Sequence, residues 1–413
     1  MAITDKLTNI ADAIREKTST TDTMTMAQMP DLIRSIKSGG SESKPWVRPS
    51  DWPDLDSAWE NHKAEFGTDA MFFTICTRDA KAGLVGKSTM EFRFVGYSSK
   101  STITATWGHV ANGKFVEDVD GGSTTSLLIN VTVPTTIDGD YAVLRFTTNG
   151  TNLGWIAFYE SKPSDSSSYK KWDVYDIREI CGGTSATTPL TTATYWQYAY
   201  YRLSTISTER YKLEITKKPT YTNFSLYYAF TYMYNLQDIS ITGDLSSATT
   251  LNLSNMCSNC YSLTSLALDL DTSSATTLNL NYMCSSCSSL TSLALDWDTS
   301  SATTLNLSDM CYNCYLLTSL ALDWDTSKVT SFTIGSIFNG CWMLEKFVVP
   351  TVWGNANTSI TYSSFLNYDS LISLINALPT VTSTCTLSLH SSAKARLTSD
   401  DIAIATAKGW TVS

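Results

Sequence analysis

A multi-domain fold built around a repeat solenoid follows from three observations on the 413-residue chain. First, the stretch from Met256 to Asp269 nearly recurs from Met283 and again from Met310, at a period of 27 residues. A fixed period of this length marks units that stack because none can bury its apolar side alone. Second, whole columns keep that period. Leu236, Leu263, Leu290, Leu317, Leu344 and Leu371 form one, and Phe230, Cys257, Cys284, Cys311, Phe338 and Phe365 another. They give six units over about 224–375, with the outer two degraded as caps are. Third, between Pro219 and Ser327 there is no Lys, Arg, His or Glu but there are nine Asp, so the units are held by apolar side chains rather than ion pairs.

In chain order, residues 1–38 read as a short N-terminal helical segment. Ile3, Leu7, Ile10 and Ile14 follow a 4-3-4 spacing, and Met26, Met29, Leu32, Ile33 and Ile36 form a second apolar set, with Pro30 near its start. This segment is either a helical hairpin or a docking and oligomerisation plug. Residues 39–45, Gly-Gly-Ser-Glu-Ser-Lys-Pro, are a flexible linker. Residues 46–165 look all-β, with strands expected at 71–77, 90–97, 102–107, 126–133, 141–146 and 155–159. Turns are expected at Asp120-Gly121-Gly122, Asp138-Gly139 and Asn149-Gly150. That spacing predicts an all-β sandwich. Gly86-Lys87-Ser88 has the ending of a phosphate-binding loop, but Lys81 stands where its first glycine belongs.

The solenoid is expected over 170–413, opened by the 172–180 stretch and the aromatic cluster 195–201. A C-terminal cap covers 386–413, with a capping helix from Thr398 to Lys408 closed by Gly409. Within one coil, period-2 alternation turns Leu266, Leu268 and Leu270 inward and Ser265, Ala267, Asp269 and Asp271 outward. Trp297 and Trp324 take the place of Leu270 in the next coils and are expected in the core. Leu251-Asn-Leu253 makes a second short strand, and Met256–Cys260 a helical turn.

The Leu-x-x-Leu-x-Leu core, the Cys-x-x-Leu entry and Phe338-Asn-Gly-Cys341-x-x-Leu344 resemble the BspA-like leucine-rich repeats of bacterial and phage surface proteins. The stretches Ile3–Thr18, Met26–Pro30 and Ile404–Trp410 look like the ends of minor structural proteins in phages of gut bacteria. The resemblance implies a leucine-rich-repeat solenoid on a phage virion protein of tail-fibre type. Met-Cys replaces the usual aromatic in three units, and no signal or wall-anchoring segment of the kind that cell-surface members carry is expected.

The paired cysteines Cys257/Cys260, Cys284/Cys287 and Cys311/Cys314 have zinc-like spacing. Equivalent positions, however, hold Phe230 and Met233, Phe338 and Cys341, Phe365 and Tyr368, and such interchange marks a buried apolar site. The outward pairs Asp269/Asp271, Asp296/Asp298 and Asp323/Asp325 are solvated turn carboxylates or, alternatively, a calcium ladder. No other metal and no cofactor is expected. The three histidines, His62, His109 and His390, lie in separate regions with no catalytic spacing, so no enzyme activity is expected.

Residues around the cysteines differ between units and are drawn from Tyr, Ser, Asn and Asp, the residue types of adaptable binding surfaces. The expected ligand-binding set is Tyr227, Tyr228, Tyr232, Tyr234, Asn255, Asn259, Tyr261, Tyr282, Asp309, Tyr312, Asn313 and Tyr315. Net charge is −10, which disfavours nucleic-acid and membrane-surface partners. No 18-residue apolar run provides for membrane insertion. The expected function is that of a phage tail fibre or receptor-binding protein gripping a host-surface glycan or protein. Its other partners would be virion tail or baseplate proteins, engaged through residues 1–38, and further copies of the chain in a homo-oligomer, for which a trimer is one form. Such a protein is made in the bacterial cytoplasm without a signal peptide and works on the virion, outside the cell. The alternatives are a bacterial cell-surface adhesin of the same repeat family and a virion-associated glycan hydrolase.

Overall fold

The computed structural model describes residues 46–67, 69–77, 89–95, 102–126, 128–132, 134, 139–148, 155–157, 176–184, 208–215 and 222–413. The helical segment 1–38, the linker, Gly86-Lys87-Ser88, Asp138, Asn149-Gly150 and the 195–201 cluster lie outside the described residues.

The region after the linker is not all-β. Helix α1 (Leu55–Phe66) begins where the Asp54 carboxylate accepts the Ser57 amide, and ends at Gly67, φ 101°. Leu55, Ala58, Trp59 and His62 form its buried stripe at helical spacing. That stripe packs on Ala70, Phe72, Val143 and Cys181, one face of an antiparallel sheet. The sheet contains β1 (Ala70–Cys76), β3 (Ile103–Ala111), β4 (Lys114–Thr124), β6 (Tyr141–Thr148) and β8 (Asp176–Thr184). A smaller antiparallel sheet joins β2 (Thr89–Val95), β5 (Leu128–Thr132) and β7 (Trp155–Ala157). Ile129 and Val131 of β5 share a core with Met71, Phe73, Trp107, Leu144 and Phe146, on the face opposite α1. All six expected strands are present. β4 was not expected, and the turn placed at Asp120-Gly121-Gly122 lies inside it. There the register against Thr104 and Thr106 shifts, a bulge in which a Cβ on Gly121 would stand 2.9 Å from the Ala105 carbonyl. The chain reverses between β3 and β4 at Asn112-Gly113, both with positive φ (52° and 74°), as a two-residue hairpin requires.

β8 carries two kinds of neighbour. It pairs antiparallel with β1 on one side and parallel with β9 (Arg210–Ile215) on the other. β9 continues in parallel to β11 (Asp238–Gly243) and β13 (Ser265–Leu270), so one eight-stranded sheet runs from the antiparallel region into the repeats. The repeats form a β-solenoid of about eight turns. A second ladder stacks β10 (Asn223–Ser225), β12 (Thr250–Asn252), β14 (Thr277–Asn279), β16 (Thr304–Asn306) and β18 (Ser331–Thr333). It places Phe224, Leu251, Leu278, Leu305 and Phe332 in register. A third stacks β15 (Ser292–Ala294), β17 (Ser319–Ala321) and β19 (Lys346–Val348).

Side chains fall as the alternation requires: Leu266, Leu268 and Leu270 are buried, Ala267 and Asp269 exposed. Trp297 and Trp324 are buried and stack at 5.8 Å with planes 3° apart. Each indole N–H reaches a backbone carbonyl one coil back, Leu268 at 2.9 Å and Leu295 at 2.7 Å, so neither buried donor is left without a partner.

Met256–Cys260 is a run of turns rather than the expected helical turn. The amides of Leu253, Asn255, Cys257 and Asn259 donate to the carbonyls of Asn279, Asn281, Met283 and Ser285 in the next coil. Those of Met256, Ser258 and Cys260 close four-residue turns on Leu253, Asn255 and Cys257. A helix would use these groups internally; here half of them hold one coil to the next.

At the C-terminal end, α2 (Tyr368–Ala377) buries Leu371, and β20 (Thr358–Ile360), β21 (Cys385–Leu389) and β22 (Trp410–Val412) form a parallel sheet. A single turn, α3 (Ser391–Lys394), precedes α4 (Ser399–Ala407), where the capping helix was expected. In α4, Thr398 and Asp401 make a reciprocal capping box, and Gly409 follows at φ 88°.

Candidate functional site: the aromatic turn face

The run of turns repeats in every regular coil and forms one side of the solenoid. Its geometry requires two left-handed residues per coil. The first position is Tyr228 (φ 58°), Asn255 (56°), Tyr282 (54°), Asp309 (55°) and Ser336 (53°). The second is Tyr232 (66°), Asn259 (64°), Ser286 (61°), Asn313 (60°) and Gly340 (80°). Asn, Asp and Gly tolerate this conformation, so Asn255, Asn259, Asp309 and Asn313 have a backbone reason for their identity, independent of any ligand. A tyrosine has no such reason, and three of these ten positions carry one.

None of the twelve expected ligand-binding residues is buried. Tyr234 and Tyr282 are exposed, and Tyr227, Tyr228, Tyr232, Asn255, Asn259, Tyr261, Asp309, Tyr312, Asn313 and Tyr315 are half-buried at the surface. The variable columns are not uniformly on the rim, however. Ser254, Ser258, Ser285 and Ser286 are buried under their neighbours.

The rings are organised along the stack. Tyr234 and Tyr261, one coil apart, stack at 5.1 Å with planes 3° apart. Tyr315 and Trp342 pack at 5.1 Å, tilted by 36°. Tyr227 lies edge-on to Tyr228 at 4.3 Å, and Tyr232 to Tyr234 at 6.2 Å. Trp342 was missed by the sequence reading, although it lies 27 residues after Tyr315 in the same column.

Polar contacts order the rim. The Tyr261 hydroxyl donates to Asn259 Oδ1 at 3.3 Å, and the Tyr282 hydroxyl bonds the Asp309 carboxylate. Burial raises the Asp309 carboxyl above its ordinary range, and the bond from Tyr282 opposes that rise. Burial also raises the Tyr261 hydroxyl and pushes that of Tyr315 up to about 12, so both are neutral hydrogen-bonding groups at neutral pH.

The six aspartates of the outward ladders are all exposed. Asp271, Asp298 and Asp325 each accept the amide two residues on, at 3.0 Å, and so act as turn-forming side chains. Among the described residues no group of three or more His, Cys, Asp or Glu is arranged to hold a metal ion. The cysteines face inward from the same turns. Cys257, Cys260, Cys284, Cys287, Cys311, Cys314 and Cys341 are buried and free. The thiols of Cys260, Cys287, Cys314 and Cys341 meet the carbonyls of Phe230, Cys257, Cys284 and Cys311 at 3.0, 3.1, 3.1 and 3.1 Å.

Compared with protein families, residues 224–348 match the one described as Mycoplasma protein of unknown function, DUF285. The matched stretch is the repeat array, and the match supports the BspA-like reading of these coils. No curated protein and no solved structure matches the chain. Among the described residues no helix is long and apolar enough to cross a membrane.

Proposed function

We propose that this chain is an attachment protein, a virion tail-fibre or receptor-binding component whose solenoid presents the aromatic turn face to a glycan or protein on a bacterial surface. The observation that carries this reading is the placement of Tyr228, Tyr232 and Tyr282 at left-handed positions. Other coils fill the same positions with Asn, Asp or Gly at lower conformational cost, or with Ser. A bulky L-residue there costs about 1–2 kcal/mol, a cost that Asn, Asp or Gly at the same positions would reduce. Rigid rings on a stacked backbone lose little entropy when they engage a partner, which favours them for binding. The tail-fibre assignment rests on the resemblance of 3–18, 26–30 and 404–410 to phage structural proteins, and the leucine-rich-repeat assignment on the motifs of the coils. In this reading residues 1–38 dock the chain on other virion proteins or on its own copies.

The test uses the purified full chain, fluorescently labelled, on a panel of gut bacterial cells. The expected outcome is adherence to at least one strain, reduced at least about tenfold by combined Tyr261→Ala, Tyr312→Ala and Tyr315→Ala with melting unchanged. Undiminished adherence of that variant removes the turn face from the function.

A further inference from the structure

We infer that the interruption of the aromatic ladder at Ser288 is a subsite for one ring of a neutral hexopyranose, an assignment that rests on the turn face being the binding face. The column is Tyr234, Tyr261, Ser288, Tyr315, Trp342, with one residue per coil. Where two successive members are aromatic, the rings pack 5.1 Å apart, in both instances. At Ser288 the chain supplies no ring. The coils bearing Tyr261 and Tyr315 are two steps of about 4.8 Å apart, or roughly 10 Å. A guest ring against Tyr315 at the ladder's own spacing therefore takes the place that an aromatic side chain on the intervening coil would have filled.

The chemistry of the surroundings selects the guest. Ser288 Oγ donates to the Tyr261 carbonyl at 3.3 Å, which fixes the hydroxyl with its lone pairs available to a donor. The Tyr315 hydroxyl interacts with those of Tyr312 and Tyr261, and Tyr282, bonded to Asp309, interacts with Tyr312. No cation occurs between Pro219 and Ser327 but nine Asp do, so these coils offer an anionic ring no neutralising charge. A neutral pyranose presents a C–H face to the negative face of the Tyr315 ring and hydroxyls at its edge to Ser288 and Tyr312.

Calorimetric titration of the full chain with cellotetraose, maltotetraose and, as anionic control, trigalacturonate tests this. At least one neutral tetrasaccharide binds, and Ser288→Tyr, which completes the ladder, weakens it at least about tenfold. Ser288→Ala, which removes one hydrogen-bond partner but leaves the gap open, weakens binding by less than about tenfold, and trigalacturonate gives none. Ser288→Phe repeats the block with a different ring, should the tyrosine variant melt early. The assignment is overturned if neither neutral sugar binds, if both blocking variants bind as tightly as the parent, or if trigalacturonate binds equally well. Cell adherence separates the two readings. Loss on the triple tyrosine substitution with no sugar binding keeps the face and removes the subsite; undiminished adherence removes the face itself.

Discussion

Tyr282 is the residue whose conformation and exposure both run against stability. It sits at φ 54° with its ring exposed, in a column where neighbouring coils use Asn255 and Asp309. Replacing it with Asn should raise stability by about 0.5–1 kcal/mol and weaken ligand binding; denaturant titration beside the adherence measurement checks both signs. A loss of stability would mean that the ring's packing outweighs its backbone cost. The cysteines give a second residue-scale expectation. Burial pushes the Cys287 thiol up to about 12 and raises those of Cys257 and Cys341 well above the ordinary range. Cys284 and Cys311 are raised as well, first by their hydrogen bonds to Cys287 and Cys314 and then by burial. Since all seven cysteines of these turns are buried and the thiolate is the reactive species, Ellman's reagent at mildly alkaline pH should leave them unmodified in the native protein and titrate them in guanidinium. Cys287→Ala removes the thiol and its carbonyl contact at a cost of about 1 kcal/mol. The interchange of Cys with Phe and Met between coils made this burial legible in the sequence. The left-handed backbone was not legible, because Tyr at two of its columns hides the Asn/Asp/Gly signature.

Helix α1 is the element that ties the antiparallel region to the first coils. Its Asp56 carboxylate meets Lys212 and Arg210 on β9, both at 2.9 Å, and Lys63 meets Glu214 at 2.8 Å. Beneath it the fully buried Glu179 of β8 accepts Arg48 and Arg210, each at 2.6 Å. Burial alone would raise the Asp56 carboxyl, but Lys212 and Arg210 hold it well below the usual carboxylate range. Glu179→Ala removes the one fully buried carboxylate between Arg48, which keeps Asp54 and Asp56, and Arg210, which keeps Asp56 and Asp238. It should cost about 1–3 kcal/mol, read by chemical denaturation. His62, on the same helix, gives a pH dependence. Burial, with the Arg145 charge, pulls its pKa down to about 4 from an ordinary 6.5. The unfolded chain therefore takes up the proton first. The His62 contribution is complete above pH 6.5 and is lost as the pH falls toward about 4, by about 3 kcal/mol in all. His62→Phe should flatten the stability profile in that window, and an unchanged slope would locate the titration elsewhere. The signals for α1 were present: Asp54 as cap and the Leu55, Ala58, Trp59, His62 spacing. The surrounding β-rich composition outweighed them in the sequence reading. Likewise Asn112-Gly113 marks the β3–β4 hairpin, but the polar sequence of β4 does not look like a strand.

For the whole molecule, the parallel registers of the coils mean that one 27-residue unit can be removed without disturbing the next. Deleting residues 283–309 joins Tyr282 to Met310 in the relation that Asp309 holds to it now, and it preserves the columns at both ends. The shortened protein should fold and melt within a few degrees of the parent. The deletion also brings Tyr261 next to Tyr315, closing the gap at Ser288, so the sugar binding proposed above should vanish with the coil. A deletion variant that is unfolded would show that the coils are not independent units. Because one sheet passes through β8 from antiparallel to parallel pairing, residues 46–413 should unfold with a shared transition at this junction rather than as two separated domains.

The period of 27, the inward leucines, the buried tryptophans and the capping helix were decided by the amino-acid sequence alone, because each depends on residues close in the chain or repeated at a fixed interval. Tertiary structure decided three other things. It joined the first coils to the antiparallel sheet at β8, docked α1 through buried charges from separate segments, and set the left-handed turns whose amides reach the next coil. Each of these depends on which backbone groups become neighbours across distant chain positions, a pairing chosen by register and burial that no local spacing records.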